Sequence, residues 1–184
     1  MKYWLLFLMV TMVMLNSRTY PIPVDCRSAF HAPTIAAPIV QTFGYLKHVG
    51  IDYDVETGTD VYAVMDGIVI TVYQDSRVYG RSIYLLHCDG YMSLYAHLSE
   101  TKVKFGQIVK SGQIIGLSGG ELGADGAGWS SGAHLHFEVR VPGHLENNLY
   151  NIDPAKYAEM VGKYNPVPVW DWDRYDACDC FMKG

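Results

Sequence analysis

The 184-residue sequence is short of several things, and each shortage closes off a class of function. It has no cluster of basic residues. With 14 Lys+Arg against 19 Asp+Glu and a net charge of −5, nothing is present to neutralise phosphates, and a nucleic-acid partner is excluded. It has no CxxC pair: Cys26, Cys88, Cys178 and Cys180 do not have the spacing of a paired-cysteine zinc site. Two readings of them stay open, namely free thiols with Cys88 buried as a small hydrophobe, or a staple from Cys178-Asp179-Cys180 back to Cys26. It has no apolar run of the roughly 20 residues that a spanning helix needs. The stretch from Trp4 to Leu15 follows Lys2 and stops at Asn16-Ser17-Arg18, so residues 1–18 read as a signal peptide or an uncleaved membrane anchor. Finally, no lysine stands at Asp66-Gly67 or Asp89-Gly90, which rules out a carrier domain for biotin or lipoate despite the recurring Gly-Gln-Ile.

What the chain does have is texture for a β fold. Apolar residues make up 49%, with 14 tyrosines and 18 glycines, a composition suited to many strands and turns. Residues 19–40 carry Pro21, Pro23, Pro33 and Pro38 and read as an extended lead-in. From Gln41 short β-like runs follow one another: 61–64, 67–73, 82–87 and 91–97. Asp66-Gly67 and Asp89-Gly90 are expected as hairpin turns, and no long helical period intervenes, so the sheet is expected to be antiparallel. The Gly-Gln-Ile units at 106–108 and 112–114 suggest two short strands around a glycine turn. Residues 118–132 are glycine-rich and read as a mobile loop at the rim of whatever follows. Asp153-Pro154 opens a short helix, with Asp153 as its N-cap. The expected organisation is one mainly β, antiparallel domain over 41–160 and an aromatic, cysteine-containing tail over 161–184 packed as a strap.

The chemistry concentrates in Gly132-Ala133-His134-Leu135-His136-Phe137-Glu138-Val139. Alternating apolar residues make this a strand, and side chains two apart share a face, so His134 and His136 project together. Such a pair can be metal ligands, a catalytic pair or packed core. Upstream, His48-Val49-Gly50-Ile51-Asp52 offers an imidazole and a carboxylate four apart. With His136 they form a set of three neutral-nitrogen and oxygen donors, the number a catalytic zinc site uses while keeping a position for water. Asp54 is the alternative carboxylate. His97, in Tyr95-Ala96-His97-Leu98-Ser99, is the remaining histidine at a strand end. His31, His87 and His144 match no ligand spacing.

Taken together, His48-x-x-x-Asp52, Tyr95-Ala96-His97-Leu98-Ser99 and the His134-x-His136 strand resemble the lysostaphin-type zinc peptidases, which cut peptide bonds in bacterial peptidoglycan. The stretches 58–67 and 106–116 fit the same pattern, and the resemblance covers about residues 41–156. It implies a compact antiparallel β-sheet or sandwich with loops around a zinc-containing groove. It also implies one zinc held by His48, Asp52 and His136, with His97 and His134 as catalytic histidines. The function it implies is a metalloendopeptidase acting on stem or cross-bridge peptides of peptidoglycan. Such an enzyme is expected to be exported to the periplasm, cell wall or medium, to be monomeric, and to meet a membrane only through an uncleaved N-terminal segment. The alternative is a non-catalytic or autoinhibited peptidoglycan-binding module of the same fold.

Overall fold

A computed structural model of the protein describes residues 28–142 and 149–164. The expected export segment, residues 19–27 of the lead-in, the tail beyond Tyr164, His144, Cys26, Cys178 and Cys180 lie outside the described residues.

Eleven strands and one helix are described: β1 (Ile39–Gln41), β2 (Ile51–Tyr53), β3 (Asp60–Tyr62), β4 (Gly67–Ser76), β5 (Gly80–His87), β6 (Met92–Ala96), β7 (Leu98–Thr101), β8 (Ile108–Val109), β9 (Ile114–Ser118), β10 (Leu135–Pro142), β11 (Leu149–Ile152) and α1 (Pro154–Tyr164). All the pairings are antiparallel, as the turn chemistry led one to expect. A large sheet runs β1-β2-β10-β6-β5-β4-β8, with β11 extending the β2 side of β10, and a small sheet runs β3-β9-β7. Val69, Ile83, Leu85, Tyr95, Leu135, Phe137 and Val139 of the large sheet join Val61, Leu98 and Ile115 of the small one in a single buried cluster. Burying a side chain of this size is worth about 1.5–3 kcal/mol each, so this cluster is the main support for everything on the other face of β10.

Helix α1 closes one side. Asp153 accepts the Ala155 N–H at 2.9 Å as its N-cap, and buried Tyr157 donates to Asp89 at 2.6 Å. The described part of the lead-in is tied along the small sheet by His31 N–H to the Val64 carbonyl and by Tyr62 N–H to the Pro33 carbonyl.

Two expectations need correction, and one left open is decided. Asp89-Gly90 is a hairpin turn between β5 and β6, with Gly90 at φ 82, but Asp66-Gly67 is not one. The strand before it, β3, pairs with β9 in the other sheet, and the Asp66 carboxylate is held by Lys110 Nζ at 2.6 Å and Ser111 N–H at 2.8 Å. Gly67 serves close approach instead, because a Cβ there would lie 2.8 Å from the Leu86 carbonyl. The two Gly-Gln-Ile units likewise do not make one hairpin: β8 joins β4 and β9 joins β3. What they share is the glutamine, whose side-chain oxygen accepts the N–H three residues earlier, Lys104 for Gln107 and Lys110 for Gln113. Of the two cysteine readings left open, the free-thiol one fails for Cys88, which is disulfide-bonded.

Candidate metal centre

Strand register builds the centre. On β10 the core takes Leu135, Phe137 and Val139, so His134, His136, Glu138 and Arg140 fall on the opposite face. His136 stands directly across from Asp52 on β2 and from Ala96 on β6. His48 reaches the same place from the loop after a short 3-10 turn, Tyr45–Lys47, in which Leu46 and Lys47 hold positive φ. Gly50 lets this loop close in, since a Cβ there would lie 2.5 Å from the Phe137 carbonyl and 2.8 Å from the His136 ring. At Ala96 the chain leaves the large sheet for the small one, and the residue making that turn is His97, at φ 59. A non-glycine residue in that region costs about 1–3 kcal/mol and persists only where its surroundings enforce it.

The donors converge. His48 Nε2 lies 3.2 Å from Asp52 Oδ1 and 3.1 Å from His136 Nδ1, and His136 Nδ1 lies 2.7 Å from Asp52 Oδ1. The first two are close to what a first-row cation would impose, because bonds of about 2.0–2.1 Å in a tetrahedron set neighbouring ligand atoms roughly 3.3 Å apart, while the 2.7 Å separation is that of a hydrogen bond. The tautomers agree. His48 Nδ1–H donates to the Thr42 carbonyl at 3.3 Å and His136 Nε2–H to Glu138 Oε1 at 2.8 Å, leaving Nε2 of one ring and Nδ1 of the other as lone pairs facing one point. Two lone pairs and a carboxylate oxygen at this range repel unless a positive charge lies among them. A proton supplies that charge when no metal does: burial disfavours the charged imidazole, but the bonds to Asp52 and Glu138 overcome this and raise His136 to about 9. Burial also opposes ionisation of Asp52, and the His136 bond with the fields of His136, His134 and His48 holds its carboxyl below the usual range.

Beside this corner lie the other two imidazoles. The His97 and His134 ring centroids are 4.8 Å apart, and His134 Nε2 is 3.9 Å from Asp52 Oδ1. Both rings are oriented through Nδ1, His97 by the Ala127 carbonyl at 2.7 Å and His134 by the Gly132 carbonyl at 2.8 Å. Burial and the neighbouring His134 keep His97 neutral, with its pKa lowered to about 4. The five histidine and aspartate positions singled out by spacing are therefore brought together. The others are not: Asp54 is exposed, His31 packs on Tyr62, and His87 is buried between the Asp66 carbonyl and Ser93 Oγ.

Sequence reasoning passed over Glu138. Its side chain is fully buried, and its second oxygen accepts from Arg140 Nε at 2.6 Å and from Asn151 Nδ2. Burial alone would raise its pKa, yet the bonds from His136 and Arg140 push it down to about 2. The signal was available: carrying the two-residue period one step past His136 lands on it.

A model of the Peptidase family M23 matches residues 46–152, more than half of the chain. The chain belongs to peptidase family M23. Among M23-related sequences, an uncharacterized metalloprotease of Haemophilus influenzae is 41% identical over 102 residues, 55% of this chain and 20% of that protein. A glycyl-glycine endopeptidase of Staphylococcus capitis is 36% identical over 117 residues, 63% of this chain and 30% of that one. The chain thus spans less than a third of the length of these curated relatives. Among solved structures, the antimicrobial peptidase lysostaphin from Staphylococcus simulans is 30% identical with a TM-score of 0.54, covering 77% of this chain and 53% of that one. A zinc-containing peptidase from Vibrio cholerae is 28% identical with a TM-score of 0.55, covering 69% and 39%. The M23 fold and a candidate His-Asp-His metal site therefore occur together in this chain.

Proposed function

We propose that this M23 chain is a zinc metalloendopeptidase that hydrolyses peptide bonds in stem or cross-bridge peptides of bacterial peptidoglycan. The observation that carries the reading is the convergence of His48 Nε2, Asp52 Oδ1 and His136 Nδ1 with two further imidazoles alongside. The names of relatives support the substrate class, among them a glycyl-glycine endopeptidase and a peptidoglycan DD-endopeptidase of Vibrio cholerae.

In this reading His48, Asp52 and His136 would hold one zinc ion, which would supply Lewis acidity for hydrolysis. His97 is the general base: its Nδ1–H is committed to the Ala127 carbonyl, and the neutral ring keeps a lone pair on Nε2 to take the proton of the attacking water. His134 is held through Nδ1 in the same way, and its Nε2–H, when protonated, donates to the oxygen on which negative charge develops. Glu138 fixes the His136 tautomer. Residues 41–160 form the catalytic unit, 1–18 direct export or anchor the chain, 19–40 lead in, and 161–184 form the tail. The protein acts as an exported monomer without nucleic acid.

The test is metal content alongside digestion. Purified protein is expected to carry about one zinc per chain and to release soluble fragments from peptidoglycan, and His136→Ala is expected to lose both; full activity in that variant would refute the assignment.

A further inference from the structure

His97 is held in a strained backbone conformation by a part of the molecule that contains none of the proposed catalytic residues. The turn joining β4 to β5 grips it from one side: the Tyr79 carbonyl accepts the His97 N–H at 2.9 Å. The same short segment also grips the glycine-rich loop. The Val78 carbonyl accepts Trp129 N–H at 2.8 Å, and Arg81 N–H donates to the Gly126 carbonyl at 2.7 Å. The two backbones meet so closely that a Cβ on Gly80 would lie 1.9 Å from the Gly126 oxygen, and one on Gly128 would lie 2.3 Å from Gly80 N. Only glycines allow this contact.

The Arg81 side chain ties the remaining pieces together. Its Nη1 donates to the Ser99 carbonyl and, at 3.3 Å, to the Leu98 carbonyl, the two residues after His97. Its Nη2 pairs with Asp125 Oδ2 at 2.6 Å, and Nη1 also reaches the Asp125 carbonyl at 3.4 Å. One guanidinium thus binds the strand that leaves His97 and the loop residue two positions before Ala127, whose carbonyl fixes the His97 ring. Its planar fork can serve several acceptors in fixed directions, which a lysine ammonium cannot. Arg81 is mostly shielded while Asp125 is exposed, so the organising end of the pair is the arginine.

We propose that Arg81 is a positioning residue for His97: by binding Leu98, Ser99 and Asp125 together it presents the Ala127 carbonyl to His97 Nδ1 and keeps Nε2 as the free ring nitrogen. The inference rests on the reading of His97 as general base, and it accounts for Gly126 and Gly128: the loop backbone at these positions must come into contact with the β4–β5 turn.

The test uses the zinc-loaded full chain and two readouts. Long-range 1H–15N correlation of the imidazoles at neutral pH is expected to show His97 of the unaltered protein as a single Nδ1–H tautomer, and Arg81→Ala as a mixture. On peptidoglycan, Arg81→Ala is expected to lower kcat about tenfold to a hundredfold, the scale of a small misplacement of a catalytic group, with zinc content unchanged and KM within about twofold. Arg81→Lys is expected to keep the thermal stability of the unaltered protein yet remain intermediate in kcat, which separates positioning from loss of folded protein. A single Nδ1–H tautomer retained in Arg81→Ala, or a kcat loss matched by lost zinc or lost folded fraction, overturns the proposal. If the unaltered protein shows no peptidase activity, the peptidase reading fails while the tautomer experiment still decides whether Arg81 orients His97.

Discussion

The two corners of the histidine cluster are built from different materials. His48, Asp52 and His136 stand on or beside paired strands, and the ring that faces Asp52 is backed by the buried Glu138, itself bonded to Arg140 and Asn151. His97 and His134 are oriented chiefly through the backbone carbonyls of Ala127 and Gly132, with Ser130 Oγ also 3.2 Å from His134 Nδ1, all supplied by an irregular glycine-rich loop. The first corner gathers charge, with Asp52 and Glu138 ionised and His136 raised to about 9 without metal. In the second, burial and the neighbouring His134 hold His97 down to about 4 and so keep that ring neutral. A hydrolytic site needs both: a place where a cation is stable and, within a few ångströms, a base that stays neutral. Carboxylate support makes the former, and uncharged carbonyl support the latter.

Breaking the first corner is expected to have the largest effect. Asp52→Ala removes the anionic donor, so zinc content measured by atomic emission should fall to background and peptidoglycan release with it. Breaking the second corner should leave the metal in place: His97→Ala is expected to retain about one zinc while kcat drops about 10²–10⁴-fold, the range of general-base catalysis. If His97→Ala instead loses its zinc, the two corners are one and the comparison fails. A smaller effect is expected from Glu138→Gln, which keeps a hydrogen-bond acceptor for His136 but removes the charge. Zinc affinity by chelator competition should weaken about 10–100-fold.

The smallest effect lies outside the cluster and sharpens the contrast. His87, in no corner, is bonded to the Asp66 carbonyl and Ser93 Oγ, and burial lowers its pKa despite the bond to Asp66 and the fields of Asp89 and Asp66. Its folded pKa lies below the unfolded value near 6.5, so the stability tied to its neutral form is present above that pH and is lost as acid drives the pH below it. Thermal melting of the protein should shift downward between pH 7 and pH 5, and His87→Gln, which can keep both bonds without titrating, should flatten that slope.

Local periodicity made much of this legible in advance. The alternation Leu135, Phe137, Val139 puts His134 and His136 on one face whatever the rest of the chain does, and Asp-Gly at 89–90 makes its turn from its own backbone chemistry. Pairing partners were less accessible. Asp66-Gly67 looks the same as Asp89-Gly90 in sequence, but the strands it separates belong to different sheets, a choice made by β9 some fifty residues away. Strand β7, Leu98–Thr101, carries no run of β-branched or aromatic residues and forms because His97 turns the chain into the small sheet. The glycine-rich stretch reads as free loop, whereas Gly126 and Gly128 are there for backbone contact with Gly80, a partner no local pattern names. Arg81 escaped notice for a related reason: the acceptors that tie it to the strand after His97 are the backbone carbonyls of Leu98 and Ser99, which no sequence distinguishes.

The pairing of β2 with β10 also sets when the chemistry can begin. Asp52 and His136 are separated by 84 residues yet face each other across a single strand pair. Threading a chain this long before its ends meet is slow compared with forming local hairpins. During synthesis, or during passage across a membrane in extended form, the early half carries His48 and Asp52 with nothing to meet them. The strand holding His134 and His136 is among the last of the domain to emerge. Until β10 is available the three donors cannot meet, so under the peptidase reading the topology itself delays the onset of activity.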